Sequence, residues 1–95
     1  IFQVDEKNSI NSYWMVSILV RNKTILNNVR KNLELNRIET RPIFPLINSM
    51  PMYKSNEHFS VALNISNRGI TLPSFPALNN SELRFISDNI INVLH

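Results

Sequence analysis

The sequence predicts an α+β domain: a short, mostly antiparallel sheet with helices packed on one face. Three observations carry this expectation. The run at 13–20, Tyr-Trp-Met-Val-Ser-Ile-Leu-Val, is aromatic and β-branched, the composition that fits a pleated, half-buried surface. Two stretches, 22–36 and 79–94, repeat apolar residues at helical spacing. Two short extended segments, 38–41 and 70–72, each run into a proline, Pro42 and Pro73. With a third, shorter helix at 60–67, the order is strand, helix, strand, loop, helix, strand, helix.

Residues 1–12 are polar and irregular, with room for a short strand at 1–4. The run at 13–20 is apolar on both faces, so it is expected to lie centrally, covered on both sides, and not at an edge open to water. In 22–36, Ile25, Leu26, Val29 and Leu33 share one face. Asn27, Asn28, Arg30, Lys31 and Asn32 take the other. Asn22 suits the N-cap, and Asn36 is expected to stop the helix in the left-handed conformation.

Pro42 holds Arg41 out of helical geometry. Pro42, Pro45 and Pro51 then break 42–53 into a structured loop. Ile43, Phe44, Leu46, Ile47, Met50 and Met52 make that loop unusually apolar, and surface loops are ordinarily polar. It should pack against its own domain or against a partner. Gly69, the sole glycine, marks the end of the helix at 60–67. In the last helix Asn79 and Glu82 have capping-box spacing, and Leu83, Ile86, Ile90, Val93 and Leu94 form one stripe. Trp14 and Phe85 read as core.

Composition sets limits. Ninety-five residues make at most one domain. The net charge of +3 is spread along the chain, whereas a nucleic-acid surface gathers its charge in a stripe or patch; no nucleic-acid partner is expected. Cysteine is absent, which excludes disulfides and cysteine-based zinc sites and fits a cytoplasmic protein. No apolar run reaches membrane-spanning length. Asp5 and Glu6 do not suit a signal peptide. A chain that starts at Ile1 instead of Met reads as a fragment or a processed product.

Catalytic sets are hard to find. His58 and His95 have no partner spacing and read as surface residues. One glycine cannot build a phosphate loop. The seven acidic residues yield no carboxylate pair, and no metal-ligand set stands out.

Two stretches say more. Residues 37–53 read Arg-Ile-Glu-Thr-Arg-Pro-Ile-Phe-Pro-Leu-Ile-Asn-Ser-Met-Pro-Met-Tyr, and residues 67–78 read Asn-Arg-Gly-Ile-Thr-Leu-Pro-Ser-Phe-Pro-Ala-Leu. With the run at 13–20, they resemble the C-terminal region of the DegT/DnrJ/EryC1/StrS family, most nearly its perosamine synthase-like members. The likeness covers roughly residues 12–94, in order. Each piece alone is weak; the combination is specific.

The resemblance implies a two-domain aminotransferase that uses pyridoxal phosphate. Residues 1–95 would be its C-terminal small domain. The large domain, absent here, would carry the cofactor and its lysine. Lys7, Lys23, Lys31 and Lys54 match no family cofactor motif, so no catalytic or cofactor-binding residue and no bound cofactor are expected in this piece. The implied substrates are glutamate and a nucleotide-linked keto-deoxysugar. The implied partners are the chain's own large domain and a second subunit of a homodimer. A stand-alone or non-catalytic α+β binding module is the alternative.

Within that frame three residues are candidates for substrate binding. The planar guanidinium of Arg41 could pair with the donor's carboxylate or the sugar nucleotide's phosphates; the plainer reading is a surface arginine at a strand-to-loop junction. Asn48 stands where relatives usually have a histidine. It can hydrogen-bond a sugar hydroxyl or a phosphate but cannot carry charge. Tyr53 either closes over the sugar or packs the loop onto the domain, and packing is favoured. Arg68 caps its helix or contacts substrate, with capping favoured. Arg37 replaces a glycine common in relatives, and Asn36 is expected to supply the turn instead.

Overall fold

The computed structural model describes residue 2, residues 4–12 and residues 14–95. Three strands and three helices follow in the expected order: β1 (Val16–Leu19), α1 (Lys23–Leu35), β2 (Arg41–Pro42), α2 (Ser60–Arg68), β3 (Gly69–Leu72) and α3 (Asn80–Leu94). The loop after β2 holds two single 3₁₀ turns, Ile47–Ser49 and Pro51–Tyr53. The sheet is antiparallel, with strand order β1-β3-β2.

This order corrects the placement of the first strand. β3 is central and β1 lies at an edge. Apolarity on both faces tells that the faces are covered; it does not tell whether the backbone on both edges is paired. The outer edge of β1 receives an isolated antiparallel bridge from Phe2 to Ile18, all that the described residues show of the strand expected at 1–4. Tyr13 lies outside the described residues, and Trp14 and Met15 form a bend. Trp14 is 74% exposed and Phe85 49% exposed, so neither is core. Phe85 precedes Ile86 on α3 and falls outside the buried stripe, while Trp14 stands on the bend before β1.

Helix α1 forms as its sequence dictates. The Asn22 side chain accepts the Ile25 amide at 2.9 Å. Leu26, Val29 and Leu33 are buried, and Ile25 packs against them. The polar face has one exception: Asn32 turns to α3 and donates to the Asn89 carbonyl at 2.8 Å. The helix end corrects another expectation. Asn36 has φ of −93°, and Arg37 takes the left-handed position, with φ of 59°. Arg37 donates to the Glu34 carbonyl at 3.0 Å and Ile38 to the Leu33 carbonyl at 2.8 Å. This is the double bond pattern of a Schellman turn, whose left-handed residue is usually glycine. The turn seats Ile38 in the core beside Leu33, and that burial holds Arg37 in its strained conformation. Arg37→Gly therefore stabilises the chain by about 0.5–1 kcal/mol, read as a higher thermal midpoint.

The core is small and wholly apolar: Ile18, Val20, Leu26, Val29, Leu33, Ile38, Ile70 and Ile90, with no buried polar or charged residue among those described. It lies between one face of the sheet and the pair α1–α3. Helix α3 contributes Ile90 fully and Ile86 and Val93 in part, while Leu83 and Leu94 at its ends stay about half exposed. Its start is the predicted capping box. Asn79 Oδ1 accepts the Glu82 amide at 2.9 Å, and Glu82 Oε2 accepts the Asn79 amide at 3.0 Å. Asn79→Ala should cost about 1 kcal/mol, measured as a lower urea midpoint with unchanged slope.

Helix α2 buries no residue. What ties it down is its end. Val20 donates to the Arg68 carbonyl at 3.0 Å, and Arg68 Nε donates to the Val20 carbonyl at 2.6 Å. Arg68 thus joins α2 to the end of β1 and does not cap its own helix. Gly69 ends the helix in extended geometry, φ −94°, with no left-handed turn. Its lack of a side chain is required for another reason. A Cβ there would sit 2.8 Å from the Ile65 carbonyl oxygen and 2.9 Å from the Ile43 side chain.

Candidate functional site

The helices α1 and α3 cover one face of the sheet, and the other face is where the candidate residues gather. Strand alternation divides the side chains. Ile18 and Ile70 point into the core. Their neighbours Ser17 and Thr71 therefore point outward, and Arg41, paired with Thr71, shares that outer side. Ile43 packs over Gly69 and begins the proline-rich loop that spreads across this side.

A chain of shallow depressions runs along the outer side. Asn48 and Tyr53 border one of about 760 Å³, floored by Ile43, Phe44, Ala62 and Ile65. Arg41 borders another of about 320 Å³, with Trp14, Thr71 and Phe75. A third depression, bordered by Ile43, Phe44, Trp14 and Thr71, lies between them. The structure brings Asn48 and Tyr53 together and places Arg41 on the same side of the sheet, in a separate recess.

Local structure explains how each is held. Asn48 is half-buried in the first 3₁₀ turn, closed by the Ser49 hydroxyl donating to the Leu46 carbonyl at 2.6 Å. Tyr53 ends the second, where its amide donates to the Met50 carbonyl at 3.0 Å. Its ring is 60% exposed, so packing onto the domain does not use it up. Arg41 is exposed at the start of β2, and its guanidinium forms no hydrogen bond or ion pair with the described residues. The loop packs by Ile43, Leu46 and Met50, which are half-buried. Phe44, Ile47 and Met52 remain exposed.

Sequence reasoning missed Thr71 and Ser17. Their signal was available: hydroxyls at one-sided positions in otherwise apolar strands. It also missed Phe59, which borders the larger depression.

Lys7, Lys23, Lys31 and Lys54 are all exposed, and none borders the depressions described. A lysine that forms a Schiff base is typically desolvated in a pocket. No chemical step through pyridoxal phosphate can be derived from these residues. Among the described residues no helix is long and apolar enough to cross a membrane.

The fold and the open face define a small α+β domain that presents polar and aromatic side chains from one side of an antiparallel sheet. Its sequence places it further: the model of the DegT/DnrJ/EryC1/StrS aminotransferase family matches residues 1–91, and the chain belongs to that family. It is 39% identical over 87 residues to GDP-perosamine synthase of Escherichia coli O157:H7, covering 90% of this chain and 24% of that protein. It is 31% identical over 93 residues to GDP-perosamine synthase of Vibrio cholerae, covering 93% of this chain and 25% of that protein. The chain thus spans about a quarter of the length of the curated relatives it matches.

Proposed function

We propose that residues 1–95 are the C-terminal small domain of an aminotransferase. Its reaction moves an amino group from glutamate to the keto carbon of a nucleotide-linked deoxysugar of the perosamine type, in the making of surface-polysaccharide precursors. The observation that carries this reading is the match to two GDP-perosamine synthases over nine-tenths of the chain. Glutamate leaves as 2-oxoglutarate, and the sugar's carbonyl becomes an amine.

Pyridoxal phosphate, held by a larger domain of the same protein, would supply the electron sink. The residues of this chain bind and orient. Arg41 holds the donor's carboxylate or the sugar nucleotide's phosphates in bidentate fashion. Asn48 hydrogen-bonds a sugar hydroxyl or phosphate, without the charge a histidine could carry. Tyr53, with its ring exposed, closes over the sugar. The exposed Phe44, Ile47, Met52 and Val61 suit a face covered by the larger domain, because a lone soluble domain seldom leaves so much apolar surface open. The working enzyme is read as a cytoplasmic homodimer.

The test is where the cofactor's lysine lies. The intact protein is loaded with pyridoxal phosphate, the cofactor is trapped with borohydride, and the labelled peptide is sequenced. A label outside residues 1–95 is expected. A label on Lys7, Lys23, Lys31 or Lys54, or no label in a protein that transfers amino groups, contradicts the reading.

A further inference from the structure

We infer that Thr71, backed by Ser17, forms with Arg41 a binding row for an oxyanion, either a carboxylate or a phosphate. The inference rests on the aminotransferase reading and adds two residues to its substrate site. Arg41 pairs directly with Thr71 across β2–β3, and Thr71 with Ser17 across β3–β1. Directly opposed residues of antiparallel strands project to the same side. The three side chains therefore stand in one line across the outer face, over two strand spacings, roughly 10 Å.

The hydroxyl pair admits either direction of donation. Ser17 Oγ and Thr71 Oγ1 are 2.9 Å apart and share one hydrogen bond. That bond uses a single hydrogen. An oxyanion lying toward Arg41 would favour Ser17 as the donor, which turns the Thr71 hydrogen toward that ligand. The Arg41 guanidinium, with five N–H donors, is not engaged by the described residues. A hydroxyl and a guanidinium on adjacent strands then face one recess. That is a donor set for an oxyanion.

Glu39 borders the same recess. Its carboxylate would repel a bare anion but accepts hydrogen bonds from ammonium or hydroxyl groups. The recess therefore suits a molecule that carries an oxyanion together with such donors. An amino acid and a sugar phosphate both have this chemistry. Trp14 and Phe75 on the rim offer flat apolar walls to either. Thr71 is thus a binding residue, and Ser17 a positioning residue that acts through it.

A Ser–Thr cross-strand pair also steadies a sheet by itself, so the test needs a readout that stability does not move. Glutamate, GDP and inorganic phosphate are titrated calorimetrically into the intact protein and into its Thr71→Val, Thr71→Ser and Ser17→Ala variants. Thr71→Val, near in shape, should weaken one of the three about tenfold, with Thr71→Ser close to wild type. Ser17→Ala should weaken the same ligand by about threefold. On an Arg41→Ala background the Thr71→Val loss should shrink, because the two share one ligand. Weakened glutamate alone assigns the row to the donor's carboxylate; weakened GDP or phosphate assigns it to the sugar nucleotide. Unchanged affinity for all three in Thr71→Val overturns the inference, whether or not the protein turns over. A wild type that binds these ligands through the row yet transfers no amino group overturns the aminotransferase reading and leaves the row standing.

Discussion

Leu33→Ala should lower the stability of this domain by about 3 kcal/mol. Leu33 is one of three side chains with no exposure at all, with Val29 and Ile70. It sits where α1 meets α3 and where the Schellman turn brings Ile38 into the core. Its carbonyl also accepts the Ile38 amide, so the turn and the packing support one another. Removing its side chain leaves a cavity that a core of eight buried residues has little means of filling. Leu35→Ala is the control, two positions along the same helix with its side chain 74% exposed. It should stay within about 0.5 kcal/mol of wild type. Urea unfolding of both variants checks the pair. Equal losses would mean that α1 does not present its Leu33 face to the core.

Arg41→Ala should raise the KM for glutamate or for the nucleotide sugar by about 10- to 100-fold, a loss of roughly 1.5–3 kcal/mol of charged hydrogen bonding. The side chain is exposed at a sheet edge and is not part of the core cluster, so stability should change by less than about 0.5 kcal/mol. Cofactor absorbance should persist, because the cofactor's pocket is read as lying in the larger domain. Arg41→Lys keeps the charge and loses the planar fork, so it should recover only part of the affinity. Steady-state kinetics with each substrate varied in turn would show which group Arg41 holds. Unchanged KM values for both would remove Arg41 from the site.

The parts of the fold that were legible in the sequence are those governed by local chemistry. Asn22 and Asn79 cap their helices with an oxygen three residues before a free amide, and Glu82 reaches back three residues to the Asn79 amide, all short-range arrangements. The face of α1 followed from the spacing of Leu26, Val29 and Leu33. The parts misread depend on partners distant in sequence. The apolar character of 13–20 could not reveal that β3, more than fifty residues later, would take the central place. Trp14 and Phe85 looked like core because aromatics usually are, yet a core this small is filled by aliphatic side chains from α1, β1, β3 and α3. Arg37 is the instructive local miss. Asparagine is the better left-handed residue, but the register of the turn is set by burying Ile38, and that puts position 37 at positive φ.

The candidate site divides in the same way. Arg41, Asn48 and Tyr53 were picked out by resemblance, and the structure puts them on one side of the sheet, in two recesses. Thr71 was passed over because a hydroxyl in a short strand is unremarkable until register sets it beside Arg41. Arg68 drew notice through its motif, and its bond to Val20 shows that its place is in the frame of the sheet.

The most direct measurement is amino transfer by the intact protein. The purified protein is given pyridoxal phosphate, glutamate and a GDP-linked keto-deoxysugar, and 2-oxoglutarate and the GDP-linked amino sugar are both quantified. The account predicts that they appear in a one-to-one ratio and that Arg41→Ala slows both together at limiting substrate. A correctly folded, cofactor-loaded protein that releases neither product would contradict it.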